Sequence, residues 1–276
     1  MKNNHLTLAT GRVRYLDNQG DGPVLLFCHG NSSAAEAFAA QFAALSERYR
    51  LIALDFPGHG GSPPAEDPQQ AYSFAGFAQT LVEFVEGLGL DRYCLIGHSL
   101  GGHAALEALP RLPGLSALIL VAAPPFNSAS AAQTFLPDPS EGLVFQANLQ
   151  LNQVNRLARA FVQAAHLPSP LLAQVEAFIH AADPQVRSQL GNSLAAGDFA
   201  DECQLLRDSG VPALLLQGTA DGFIDWRYCV DPGSFPGCDL EVGLFEECGH
   251  NPHVEQPTRF NDLLDHFVAH ILRKAA

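Results

Sequence analysis

The first part of the chain alternates between two hydrophobic patterns. Short apolar runs, typical of strands buried on both faces of a parallel sheet, occupy residues 24–28, 49–54, 93–96 and 115–121. Segments with the apolar spacing of a helix separate them, at residues 34–47, 72–88 and 103–109. With an opening strand pair at 6–17, this alternation predicts a doubly wound, mostly parallel α/β sheet with right-handed crossovers.

The pattern changes after residue 123. Between 124 and 210 the apolar spacing favours helices, at residues 141–165, 169–182, 184–195 and 199–208. Strand-like runs resume at 211–217 and 240–245, and an amphipathic segment at 257–273 predicts a closing helix. We therefore expect a core domain formed by residues 1–123 and 211–276. A helical cap, residues 124–210, is inserted after the sixth strand.

Composition narrows the classes of partner. The chain has 276 residues and a net charge of −14, which argues against nucleic acid and anionic membranes as partners. No apolar run approaches the roughly 20 residues of a membrane span, and no signal-peptide pattern is recognisable. The six cysteines form no Cys-x-x-Cys pair, which is typical of a reducing compartment. These features predict a cytoplasmic monomer or homodimer that acts on a small molecule.

The most specific motif is Gly97-His98-Ser99-Leu100-Gly101-Gly102. It follows an apolar strand and leads into a helix, which is the context of a nucleophile elbow. Glycines at 97 and 101 allow the strand and the helix to approach closely across a sharp turn. Ser99 is then presented at a helix N-terminus, where the helix dipole favours developing negative charge.

A serine hydroxyl needs a histidine base that is oriented by a carboxylate. Both partners must lie at the same end of the sheet as Ser99, in loops that follow strands. Asp221 and His250 meet this condition, and the chain order serine, acid, histidine is that of α/β-hydrolases. Asp225 is an alternative acid, although it lies four residues further from the strand.

Other polar residues near these loops are given supporting roles. Asp55 is interpreted as a turn-stabilising residue and His59 as a structural one. His98 and His103 flank the elbow and are expected to form packing or pocket walls, with His98 assigned to the substrate site. His253 is expected to pack against the closing helix or to bind Glu255.

Two further parts of the site follow from loop position and from cap composition. The loop His29-Gly30-Asn31 ends a buried strand, so the backbone N–H of Asn31 or of a neighbour is a candidate oxyanion-hole donor. Every aromatic residue of the cap is phenylalanine. We expect one or two of four of them to line an apolar substrate pocket: Phe126, Phe135, Phe145 and Phe161.

Taken together, these motifs resemble the lid-bearing serine esterases of the α/β-hydrolase superfamily. The resemblance implies a triad of Ser99, His250 and Asp221, with an oxyanion hole from the N–H groups of Leu100 and Asn31. The segments 29–33, 100–103 and 124–125 are similar to a metal-independent N-acyl-homoserine lactonase of this fold. The chain departs from that lactonase, because residues 124–212 lack the tyrosine that it places near the lactone.

Three functional hypotheses remain open. The leading one is a serine hydrolase that cleaves an ester or lactone with a small-to-medium apolar acyl group, through an acyl-enzyme on Ser99. The same triad also permits hydrolysis of a C–C bond in a diketone-like substrate. A ligand receptor built on a hydrolase fold is the third. The His-x-His-x-Asp-His pattern of metal-dependent lactonases is absent, and we expect no metal and no cofactor.

Overall fold

The structure, a computed structural model, describes residues 2–163 and 169–274. Within these residues eight strands form one sheet in the order β1-β2-β4-β3-β5-β6-β7-β8. The strands are β1 (Lys2–Leu8), β2 (Gly11–Asp17), β3 (Val24–Cys28), β4 (Arg50–Leu54), β5 (Tyr93–His98), β6 (Leu115–Val121), β7 (Ala213–Gly218) and β8 (Leu240–Phe245). β2 pairs antiparallel with both of its neighbours, β1 and β4, and the other pairs are parallel. The predicted doubly wound, mostly parallel sheet is confirmed.

Twelve α-helices are found in the same part of the chain. They are α1 (Ala39–Leu45), α2 (Pro68–Ala71), α3 (Phe74–Gly87), α4 (Leu100–Ala108), α5 (Ala131–Thr134), α6 (Leu151–Phe161), α7 (Ser169–Ala181), α8 (Pro184–Ala196), α9 (Glu202–Ser209), α10 (Trp226–Val230), α11 (Pro252–Glu255) and α12 (Pro257–Lys274). None of the helices within these ranges is long and apolar enough to cross a membrane.

The core consists of two apolar layers, one on each face of the sheet. Alternate residues of β3 enter opposite layers, as the two-residue period of a strand requires. Leu26 joins the layer covered by α3 and α4, whereas Phe27 joins the layer covered by α1 and α12. Because both faces are covered, the central strands are nearly continuous apolar runs. For this reason the strands in the first 120 residues could be predicted from the apolar runs alone.

The helices α5 to α9 lie between β6 and β7, so the predicted helical cap after the sixth strand is present. The prediction of one long helix over 141–165 was wrong. Glu141 and Gly142 have positive φ angles of 55° and 91°, and a single 3₁₀ turn follows before α6 begins at Leu151. Residues 164–165 of that prediction lie outside the described residues. The segment predicted as a helix at 34–47 also divides, into a 3₁₀ turn (Ala35–Phe38) and α1.

Candidate active site

Ser99 occupies a strained turn between β5 and α4. Its φ and ψ angles are 49° and −118°, a region in which a non-glycine residue costs about 1–3 kcal/mol. A Cβ atom at Gly97 would lie 2.6 Å from backbone atoms of Gly102, and one at Gly101 would lie 2.4 Å from the carbonyl oxygen of Cys28. The two glycines are therefore required by contact, and they hold Ser99 at the carboxyl edge of the sheet.

His250 and Asp221 form a buried pair at the same edge of the sheet. The distance from His250 Nδ1 to Asp221 Oδ2 is 2.8 Å. Gln217 Nε2 also donates to this oxygen at 2.9 Å, and the backbone N–H of Phe223 donates to Asp221 Oδ1 at 2.8 Å. An acceptor-only carboxylate at Nδ1 places the proton there, which leaves Nε2 of His250 as the basic nitrogen.

The loop that carries His250 is fixed by the cap. The carbonyl oxygen of Phe161, at the end of α6, accepts hydrogen bonds from His250 N and from Asn251 Nδ2. Glu255 accepts the N–H groups of Gly249 and Asn251. The Phe161 ring lies nearly parallel to the imidazole of His250, with ring centres 5.9 Å apart. The cap thus orients the histidine as well as covering it.

His98, at the end of β5, also stabilises the loop that carries His250. Its Nε2 donates to the carbonyl oxygen of His250 at 2.9 Å. Burial lowers the pKa of His98 well below its ordinary value, so the ring is neutral. His98 also borders one of the cavities described below.

His253 packs against the Phe38 and Phe260 rings, at 4.9 and 5.9 Å between ring centres. Phe260 belongs to α12, so His253 contacts the closing helix, the first of the two expected arrangements. Both ring nitrogens are buried and have no hydrogen-bond partner among the described residues. Burial lowers the pKa of His253 to about 3. The imidazole is therefore neutral at any physiological pH.

Replacing His253 with leucine is expected to reduce the acid sensitivity of the fold. The folded protein keeps His253 neutral down to about pH 3, whereas the unfolded chain binds a proton below its ordinary pKa of 6.5. Stability is consequently lost as the pH falls from 6.5 towards 3. Between about pH 7.0 and about pH 5.5, this one group should contribute a loss of about 1.3 kcal/mol. Urea unfolding at both pH values measures it.

The matched control is His266→Leu, which alters an exposed histidine of α12. We expect His266→Leu to lose as much free energy of unfolding on acidification as the wild type, and His253→Leu to lose less. Equal losses in all three proteins would show that burial of His253 makes no contribution.

The loop after β3 presents the backbone N–H of Asn31 beside Ser99. Asn31 N makes no hydrogen bond to any residue of the described chain. Leu100 is the first residue of α4, so its N–H has no acceptor within the helix. Both donors are therefore available to a ligand oxygen. The Asn31 side chain donates from Nδ2 to the carbonyl oxygen of Val144, which ties this loop to the cap.

Two residues assigned supporting roles hold this loop in place. His59 Nε2 accepts the N–H of Ser32, whose φ is +56°. Asp55 is fully buried and accepts the N–H groups of Ala35 and Gly61, and Arg14 pairs with it at 2.5 Å. These contacts fix the conformation of the loops, which is the supporting role expected of both residues. Asp225 likewise accepts the N–H of Arg227 at the start of α10, and it does not contact His250.

Two cavities meet at Ser99. One, of about 130 Å³, is bordered by both polar and apolar residues, and Ser32, Ser33, Glu36 and Gln174 are among the polar ones. The other, of about 210 Å³, is bordered mainly by apolar side chains. Four residues border both cavities: Asn31, Ser99, Phe161 and His250. The two cavities therefore adjoin each other at the nucleophile candidate.

More of the four candidate phenylalanines of the cap border the larger cavity than we expected. Three of the four candidates, Phe135, Phe145 and Phe161, border the 210 Å³ cavity, rather than one or two. Phe126 borders neither cavity and is corrected to a packing residue. It is fully buried behind Phe135 and His103, with ring centres 4.9 and 5.3 Å away.

Several pocket residues were not found from the sequence. Phe223 and Ile224 border the cavity from the loop that carries Asp221. Their position two and three residues after Asp221 could have identified them as pocket residues. Leu190 and Leu194 reach the cavity from α8. Glu202, which contacts His103, was also missed, because a single acidic residue in an amphipathic helix carries no sequence signal of burial.

Fold and motifs together define the class of protein. The chain belongs to the alpha/beta hydrolase fold family, whose model matches residues 23–257, and it is a hydrolase. A mutant of the N-acyl homoserine lactonase AidH, solved in complex with N-hexanoyl homoserine lactone, is 26% identical. It aligns over 99% of both chains with a TM-score of 0.87.

Two curated relatives have different activities. A 2-hydroxy-6-oxononadienedioate/2-hydroxy-6-oxononatrienedioate hydrolase of Paraburkholderia phymatum is 27% identical over 93% of this chain and 91% of its own length. A pimeloyl-[acyl-carrier protein] methyl ester esterase of Nitrosomonas europaea is 26% identical over 91% of this chain and 98% of its own.

Proposed function

We propose that the protein is a serine hydrolase of carboxylic esters or lactones. The observation that carries the proposal is the convergence of four loops at one sheet edge. Asn31, Ser99 and His250 border both cavities, and Leu100 borders the larger one. Asp221 lies behind His250 and holds it through Nδ1. The catalytic roles of these five residues form part of the proposal.

The mechanism follows from their chemistry. His250 Nε2 takes the proton of Ser99 Oγ as this oxygen attacks the substrate carbonyl carbon. The N–H groups of Asn31 and Leu100 stabilise the resulting oxyanion, and one such donor is typically worth about 3–4 kcal/mol. His250 then gives the proton to the departing alkoxide, and the alcohol leaves. Finally, His250 activates a water molecule that hydrolyses the acyl-enzyme and releases the acid.

The two cavities set the expected substrate. We assign the apolar 210 Å³ cavity to the acyl chain and the more polar 130 Å³ cavity to the alcohol or the opened lactone. A cavity of about 150 Å³ holds a benzene molecule, so the larger cavity accommodates an acyl chain of roughly eight carbons. The structural likeness to a lactonase and the curated esterase relative support ester or lactone cleavage.

The proposal is tested by comparing three substrate classes at matched chain length. These are p-nitrophenyl esters of two to twelve carbons, N-acyl homoserine lactones with the same acyl groups, and a dienol-type diketone. We expect esters or lactones to be cleaved, with kcat/KM highest at about six to eight carbons and lower for longer chains, which the cavity cannot enclose. Turnover of the p-nitrophenyl esters is measured by p-nitrophenol release, that of the lactones by acid release, and that of the diketone by loss of the dienol absorbance.

Each alternative has its own outcome in this comparison. Turnover of the diketone alone would favour C–C bond hydrolysis, which the Paraburkholderia relative makes the second candidate. Saturable ligand binding with no turnover of any class would favour a receptor. Either result would contradict the proposed function.

A further inference from the structure

A second histidine–carboxylate pair lies one helical turn from Ser99. His103 Nδ1 is 2.9 and 3.0 Å from the two carboxylate oxygens of Glu202. Glu202 is fully buried at the start of α9, and its carboxylate also accepts the backbone N–H of Phe126 at 3.2 Å. The proposed catalytic machinery uses neither residue, so a buried ionisable pair beside the nucleophile candidate has no assigned role.

The free nitrogen of His103 faces the apolar cavity. His103 borders that cavity and is itself 6% exposed. Its Nε2 has no hydrogen-bond partner in the described chain and is not among the polar atoms that are completely enclosed. The remaining surroundings of the ring are aromatic, with Phe74, Phe126 and Phe135 at 6.0, 5.3 and 6.4 Å between ring centres.

The charge of the surroundings determines what this nitrogen offers. A protonated Glu202 donates to His103 Nδ1. The neutral imidazole then carries its proton on Nε2, and the pair has no net charge. Burial raises the pKa of Glu202 and of the neighbouring Glu107, and a net charge is costly in an apolar site. The neutral pair is therefore favoured, and Nε2 presents an N–H donor to the cavity.

We propose that His103 is a specificity-determining residue that recognises a keto oxygen on the acyl chain of the substrate, with Glu202 as its positioning residue. The proposal rests on the proposed function, because it requires the acyl chain to occupy this cavity. A keto oxygen accepts a hydrogen bond without adding charge. A carboxylate would bring a negative charge close to Asp138, which also borders the cavity, and would bury that charge among apolar side chains at a high cost.

The test compares p-nitrophenyl heptanoate with its 4-oxo, 5-oxo and 6-oxo analogues. Each kcat/KM is divided by the rate constant of uncatalysed hydrolysis, which removes intrinsic reactivity. We expect at least one oxo ester to exceed the heptanoate by about five- to tenfold in the wild type, the range of a single hydrogen bond in a buried site. In His103→Asn this ratio should fall to about one.

The variant is matched to the geometry of the pair. Asparagine keeps a short polar group next to Glu202, but has no atom at the position of Nε2, so Glu202 retains a partner. The readout is a ratio, which a general loss of activity does not alter. If His103→Asn fails to fold, the double variant His103→Leu/Glu202→Leu replaces both partners, a change that can be nearly neutral for stability.

Three results would overturn the proposal. Ratios at or below one for all oxo esters in the wild type would show that no keto group is recognised, while ester hydrolysis itself stands. An unchanged ratio in the variants would show that His103 has only a structural role. Absence of hydrolysis of every ester would overturn the proposed function, and this inference with it.

Discussion

Replacing Ser99 with alanine is expected to lower kcat/KM for ester hydrolysis by about 10⁵-fold. The proposed acyl-enzyme forms through the Ser99 oxygen, and no other hydroxyl in the described chain occupies the strained turn between β5 and α4. His250 and the two backbone donors remain in Ser99→Ala, but they have no nucleophile to activate. The measurements are p-nitrophenyl butyrate turnover and covalent labelling by a fluorophosphonate, with peptide mapping of the adduct.

A matched control is Ser73→Ala, at the start of α3. The hydroxyl of Ser73 accepts the N–H of Gly76 and caps that helix, so its loss should cost about 1 kcal/mol of stability. Labelling and turnover of the folded Ser73→Ala protein should match the wild type. The assignment of the nucleophile would be wrong if Ser99→Ala were still labelled at wild-type stoichiometry. It would also be wrong if the variant kept more than about 1% of the wild-type p-nitrophenyl butyrate turnover.

The sheet could be predicted from the sequence because both of its faces are covered. Burial on two sides makes β3 to β7 short apolar runs, and the helix-like segments between them have a different period. The candidate site followed for a related reason, because parallel strands place the loops that carry Asn31, Ser99, Asp221 and His250 at one edge. Strand order along the chain was therefore enough to bring these residues together.

The cap could not be predicted in the same detail. Its helices are amphipathic, and nothing in their spacing tells whether an apolar side faces the substrate cavity or another helix. Phe126 and Phe135 are nine residues apart and were indistinguishable, yet only Phe135 borders the cavity. The contact between His103 and Glu202 joins residues 99 positions apart, and it depends on how α9 packs against α4. Packing of this kind sets substrate preference, so specificity is harder to predict than the reaction.

Replacing Asp221 with asparagine is expected to lower kcat by about 10³- to 10⁴-fold while the fold is retained. Backbone N–H groups of Phe223 and Ile224 surround Oδ1, so the amide oxygen of the asparagine should take that position. Its NH₂ group then occupies the place of Oδ2 and donates to His250 Nδ1. The imidazole proton moves to Nε2, which can no longer accept the proton of Ser99.

Gln217 makes this orientation easier to adopt. Its Nε2 donates to Asp221 in the wild type, and its Oε1 is buried with no partner in the described chain. Rotation of the Gln217 amide would offer that oxygen to the new NH₂ group. The variant should therefore remain folded, with a free energy of unfolding within about 1–2 kcal/mol of the wild type, and its loss of activity should reflect the tautomer of His250.

The control for this prediction is Asp225→Asn, which alters the alternative acid. Asp225 caps α10 through the N–H of Arg227, and asparagine caps helices as well as aspartate does. Its kcat should change by less than about twofold. A large loss in Asp225→Asn together with a small one in Asp221→Asn would assign the acid to Asp225. Because both variants make the same chemical change four residues apart, the comparison isolates the hydrogen bond to His250 from any general effect of removing a carboxylate in this loop.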